Sequence, residues 1–144
     1  MRVLEKLKSP EASLRVTLYQ GVPKGDKMDY IVQKCTEAGA SEIYFFASSR
    51  CVARIQGDAD KKIARWQRIA EEAAKQSGRG IIPHIGELTT FKTADMSAYD
   101  LILVAYEDER QTSLKEVLRA NIKAENIAVI IGPEGGLEIG EKRA

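Results

Sequence analysis

The residues best suited to chemistry in this chain lie where an apolar run stops. Ile127-Ala128-Val129-Ile130-Ile131 contains no polar residue and leads straight into Gly132-Pro133-Glu134-Gly135-Gly136. The three glycines allow close approach of the backbone to a ligand, Pro133 removes one donor, and Glu134 sets a carboxylate among exposed amides. Such a turn suits a small molecule held by backbone groups, although a ligand-free strand-to-helix turn satisfies the same pattern. A second strand end of this kind is Leu101-Ile102-Leu103-Val104-Ala105, which runs into Tyr106-Glu107-Asp108-Glu109.

The remaining reactive side chains point nowhere as clearly. His84 is the single histidine, no serine or cysteine motif designates it as a base, and a structural role is expected. Cys35 and Cys51 lack the spacing of a zinc or redox motif. Lys61, Arg65 and Arg68, with Lys75 and Arg79 further along, read as a solvated helix face, with anion binding as the alternative. No GxGxxG follows the first strand and no GxxxxGK[ST] occurs, so the usual dinucleotide and nucleotide-phosphate readings lose support.

The elements that must position these turns follow from periodicity. Residues 14–20 alternate apolar with polar and read as a strand. Asp26 is placed to cap a helix carrying Met28, Ile31, Val32, Cys35 and Ala38 at helical spacing, and Gly39 to end it. Residues 43–47 form a second strand. Asp58 opens a long helix with Ile63, Trp66, Ala70, Ala73 and Ser77 on its inner stripe, closed by Gly78. Residues 81–85 are extended, and Pro83 assigns them to an edge or an end. Residues 101–105 and 127–131 read as strands buried on both faces, joined by a short helix bearing Leu114, Val117 and Leu118.

Strands alternating with helices imply a parallel sheet with flanking helices, whose ligands bind at the carboxyl ends of the strands. With 144 residues, 44% hydrophobic and 30% charged, one globular domain is expected. The formal net charge of +1 supplies no overall field for nucleic acid, so any such contact must come from a local patch. No run is long enough to cross a membrane and no signal-peptide core is evident, which makes a cytoplasmic location the expectation.

Four blocks, residues 22–29, 33–39, 65–79 and 131–136, taken together in order and spacing, resemble the RsmE family. These are SPOUT-class methyltransferases that use S-adenosylmethionine to methylate N3 of a uridine in 16S ribosomal RNA. The resemblance extends from about Leu14 to Glu141. It implies a SPOUT-like α/β core with a trefoil knot, and a homodimer with each cofactor site near the subunit interface. Carried over, the cofactor loops fall on Ala105, Tyr106 and Glu107 and on Gly132, Pro133, Glu134, Gly135 and Gly136. Phosphate contacts fall on Lys24, Lys27, Lys34, Arg50 and Arg79. No metal is implied and no catalytic residue is assigned.

Measured against the family, residues 1–13 are expected to be a linker or remnant of an N-terminal RNA-binding domain. Residues 14–144 are expected to form a partial methyltransferase domain lacking the C-terminal segment that completes the knot, inactive by itself. The competing expectation is a noncatalytic α/β fragment that serves as a dimerisation or RNA-contacting module.

Overall fold

A chain that alternates strand with helix joins parallel strands, because each connection must carry the backbone back to the starting edge. The computed structural model describes residues 11–23, 26–47, 58–90, 94–105 and 112–132. Its strands are β1 (Arg15–Gly21), β2 (Glu42–Phe46), β3 (His84–Thr89), β4 (Leu101–Ala105) and β5 (Asn126–Ile131). The described helices are α1 (Lys27–Ala38), α2 (Ala59–Gln76) and α3 (Leu114–Ala120). All strand pairs are parallel, in the order β3-β2-β1-β5-β4. The α/β class expected from the sequence is therefore the one observed.

Alternation along the strands sends side chains to two faces. On one face Leu18, Ile43, Phe45 and Ile85 meet Met28 and Val32 of α1 and Trp66 and Ala70 of α2. Alanines at 70, 73 and 74 keep the inner stripe of α2 low, so it lies close to its neighbours. On the other face Tyr19, Phe46, Ala128 and Ile130 are packed by Tyr44 and by Ala94, Met96 and Tyr99.

Both long helices stop at left-handed glycines, Gly39 at φ 113° and Gly78 at φ 72°. In each case the next two amides fold back in the Schellman pattern. Gly39 N–H donates to Thr36 and Ala40 N–H to Cys35; Gly78 N–H donates to Lys75 and Arg79 N–H to Ala74. The helix starts differ. Asp26 occupies the N-cap of α1 without a side-chain hydrogen bond, contrary to its expected role. Ser113 caps α3 in a complete capping box with Glu116.

Two expectations are corrected. Residues 101–105 are not buried on both faces, for Ile102 and Val104 are 41% and 46% exposed. The reason is position: β4 is the outermost strand on its side, with β5 as its one described neighbour, and α3 contributes no buried residue to cover it. The inner stripe of α1 uses Thr36 where Ala38 was expected.

Gly86 shows a tight approach within β3. A Cβ there would lie 2.0 Å from Cδ1 of Tyr44, so the missing side chain makes room for the ring. Gly86→Ala is expected to cost about 2 kcal/mol in urea denaturation, and adding Tyr44→Ala should recover most of it. Strictly additive losses in the double variant would refute the contact.

Candidate functional site

The winding of the sheet marks where a crevice is expected. From β1 the chain proceeds outward through β2 to β3 on one side, while β5 and β4 lie on the other, so the order reverses between β1 and β5. At such a reversal the loops leaving the strand tips splay apart, opening a space at the carboxyl rim.

The register places the expected strand ends side by side. Ala105 is level with Ile131, and Gln20 of β1 with the same residue. Asp100 helps fix that register: its Oδ2 accepts the amides of Glu125 and Asn126, both at 3.0 Å, and its own amide donates to Asn126 O at 2.8 Å. Locked at their starts, β4 and β5 must finish together. Ile131 is 38% exposed and Gly132 half-buried, so an apolar side chain and a glycine stand open next to Ala105. Tyr106, Glu107, Pro133, Glu134, Gly135 and Gly136 lie outside the described residues.

A cleft of about 300 Å³ sits at the same rim, where β1 hands over to α1. Val22, Pro23, Met28 and Trp66 give it apolar walls, and Lys62, Arg65, Asp26 and Asp29 give it charge. Arg65 is ion-paired to Asp29 and ties α2 to α1. The sequence reading missed Lys62 and Trp66 as rim residues. The available signal was that α2 starts beyond the tip of β2, which sends its first turns to the carboxyl edge.

The expected phosphate contacts do not form one group. Lys27 and Lys34 are exposed on α1 two turns apart, on one side of the helix. Lys34 pairs with Glu37 at 3.2 Å and lies 5.7 Å over the Tyr30 ring. Lys24 and Arg50 lie outside the described residues. Arg79 corrects the expectation for its position. It stands at the other end of α1, and its side chain is only 7% exposed.

All five donor hydrogens of Arg79 are used inside the fold. Nε and Nη2 reach the Glu11 carboxylate at 3.0 and 2.8 Å. Nη1 reaches the carbonyls of Thr36 and Ala40 at 3.1 and 2.6 Å, and Nη2 also reaches that of Gly39 at 3.4 Å. The Arg79 hydrogen bonds hold the Glu11 carboxyl below its usual range against the opposing effect of burial. A cation at a helix C-terminus, satisfying carbonyls the helix leaves open, is a structural clasp and has no donor left for RNA.

A parallel sheet with flanking helices, its strand order reversing between β1 and β5, defines a doubly wound α/β domain. The RNA methyltransferase domain family matches residues 10–144, and the chain belongs to that family. It is 34% identical over 138 residues to the ribosomal RNA small subunit methyltransferase E of Bacillus subtilis, covering 91% of this chain and 54% of that protein. It is similar in structure to the Neisseria gonorrhoeae enzyme of the same name bound to S-adenosyl methionine, with 30% identity and a TM-score of 0.70 over 96% of this chain and 57% of that one. A Legionella pneumophila protein solved with the same cofactor shares 27% identity at a TM-score of 0.77, over 94% of this chain and 55% of that one. The resemblance carried by the four blocks is thus borne out. The chain spans about half the length of the relatives it matches.

Proposed function

We propose that this chain carries the catalytic region of an S-adenosylmethionine-dependent methyltransferase acting on N3 of a uridine in 16S ribosomal RNA. The observation that carries the reading is the alignment of Ala105 with Ile131 at the carboxyl rim, with Gly132 next in line. The described part of this rim fits the cofactor: an exposed isoleucine and an alanine offer an apolar seat for adenine. Ala105, Gly132 and the loops that continue from them would hold it. When bound, the cofactor supplies an electrophilic methyl group that passes from sulfur to uracil N3, the N3 proton going to a base.

The protein's own task is placement. Uracil N3 is a weak nucleophile until deprotonated, so it must be held in line with the methyl group while water is kept out. Lys62 in the rim cleft and Lys27 and Lys34 on α1 are the described lysines offered as contacts to the RNA backbone. A homodimer working in the cytoplasm on the small ribosomal subunit belongs to the same proposal.

Transfer of radiolabelled methyl to unmethylated 16S RNA by the whole protein containing residues 1–144 is the test. Label at uridine N3 is the expected result; absence of transfer would favour the noncatalytic module. Calorimetry adds a second expected outcome: Gly135→Val abolishes S-adenosylmethionine binding, whereas unchanged affinity would remove the glycine turn from the site.

A further inference from the structure

The sheet face turned away from α1 and α2 carries a cavity of about 540 Å³, walled by Tyr19, Tyr44, His84 and Tyr99 and rimmed by Glu87 and Asp95. Tyr19 and Tyr44 stack with centroids 5.2 Å apart at 15°. Tyr99 meets Tyr19 edge-on at 6.0 Å and 90°, and His84 meets Tyr44 edge-on at 6.3 Å. Tyr44 and Tyr99, both half-buried, therefore turn their ring faces at a steep angle to one another. The cavity wall is thus built of electron-rich rings of the kind that attract a cation.

The walls are fixed by the fold. The hydroxyls of Tyr19 and Tyr99 share a hydrogen bond of 2.9 Å. The Tyr44 hydroxyl donates to Glu42 Oε2 at 3.1 Å, and the ring of Tyr44 rests where Gly86 has no side chain. Rings held in this way lose little entropy when a ligand enters.

The charge of the described lining residues has one sign. Among the described lining residues Glu87 and Asp95 are anionic and none is lysine or arginine. Asp95 accepts the amide and hydroxyl of Ser97 at 3.0 and 2.7 Å, which holds its carboxyl below the usual range and keeps it ionised. Burial pushes the Tyr19 and Tyr44 phenols up, so the rings stay neutral and keep their electron-rich faces. Glu87 and Asp95 disfavour a phosphate there. An ammonium group gains from ring faces and carboxylates together.

We propose that this cavity binds an organic cation, an alkylammonium group supplied by a free amine or by a lysine side chain displayed on a protein. The site lies outside the carboxyl-rim crevice and does not rest on the methyl-transfer reading.

The test follows the ring-proton NMR signals of Tyr19, Tyr44 and Tyr99 in the 144-residue chain during titration with two probes. Spermidine stands for the free amine and the blocked tripeptide acetyl-Gly-Lys-Gly-amide for the side chain. The same tripeptide with norleucine in place of lysine is the uncharged control. Saturable shifts with at least one cation and none with the control are expected, the tighter probe identifying the source. Asp95→Asn, at an exposed position where unfolding is not at issue, and Tyr44→Leu should each weaken binding about fivefold. Rings unmoved by both cations, shifts equalled by the norleucine peptide, or affinity unchanged in both variants would overturn the proposal.

Discussion

Replacing Arg79 by methionine is expected to lower the stability of the folded chain by about 3 kcal/mol, measured by urea denaturation at neutral pH. The substitution keeps much of the apolar stem and removes five donors at once. It takes the guanidinium away from the Glu11 side chain, 16% exposed, and opens the carbonyls of Thr36, Gly39 and Ala40. Arg79 is the main stabiliser of the Glu11 carboxylate, so Glu11→Leu combined with Arg79→Met should recover part of the loss. A loss below about 1 kcal/mol would show the clasp to be worth no more than a surface pair.

The same clasp sets an acid dependence. Glu11 has its folded carboxyl held below the ordinary value of 4.5 by Arg79, with the amides of Ile81 and Gly80 adding to the effect. A depressed carboxyl stabilises the fold above its unfolded value, and that contribution is lost as pH falls through 4.5 and then through the lower folded value. The stability of Glu11→Gln should therefore fall less steeply with acid than that of the parent chain.

Phe45→Ala should cost about 4 kcal/mol. Phe45 is fully buried in β2, between β1 and β3, and its ring lies 4.4 Å from that of Trp66, which carries the contact into α2. Truncation leaves a void that neither the paired backbone nor the helix can close. Loss of near-ultraviolet dichroism from the single tryptophan should accompany the lowered midpoint. Tyr30, 64% exposed, supplies the control, and a Phe45→Ala cost no greater than that of Tyr30→Ala would place the core elsewhere.

The fold was legible in the chain wherever local pattern and final environment agree. Val32, Trp66 and Ala70 fall on helical stripes, and Gly39 and Gly78 end helices because only a residue without Cβ enters the left-handed region cheaply. The apolar run at 127–131 reads correctly as an interior strand because it has neighbours on both sides. The equally apolar run at 101–105 reads the same way and is the outermost strand on its side among the described residues, since composition does not encode strand order. Arg79 failed for a related reason: an arginine that clasps a helix end and one that meets phosphate look alike until its partner, 68 residues away, is known. Where the 101–105 and 127–131 strands stop was legible because an apolar run gives way to polar or glycine residues there, and the two ends are level in the sheet. The tyrosine cavity was not, because its walls come from four separate segments.

The placement of β5 has a consequence for how the molecule is made. The strand that completes the middle of the sheet is also the last one described, and Arg15 waits for Asn126 before its inner edge is paired. During synthesis the β1-to-β3 half therefore leaves the exit tunnel with an open flank, and β4 emerges with no partner at all. The same strand closes both flanks, so a released chain that stops just short of residue 126 presents two unpaired strand edges where the longer one has an interior.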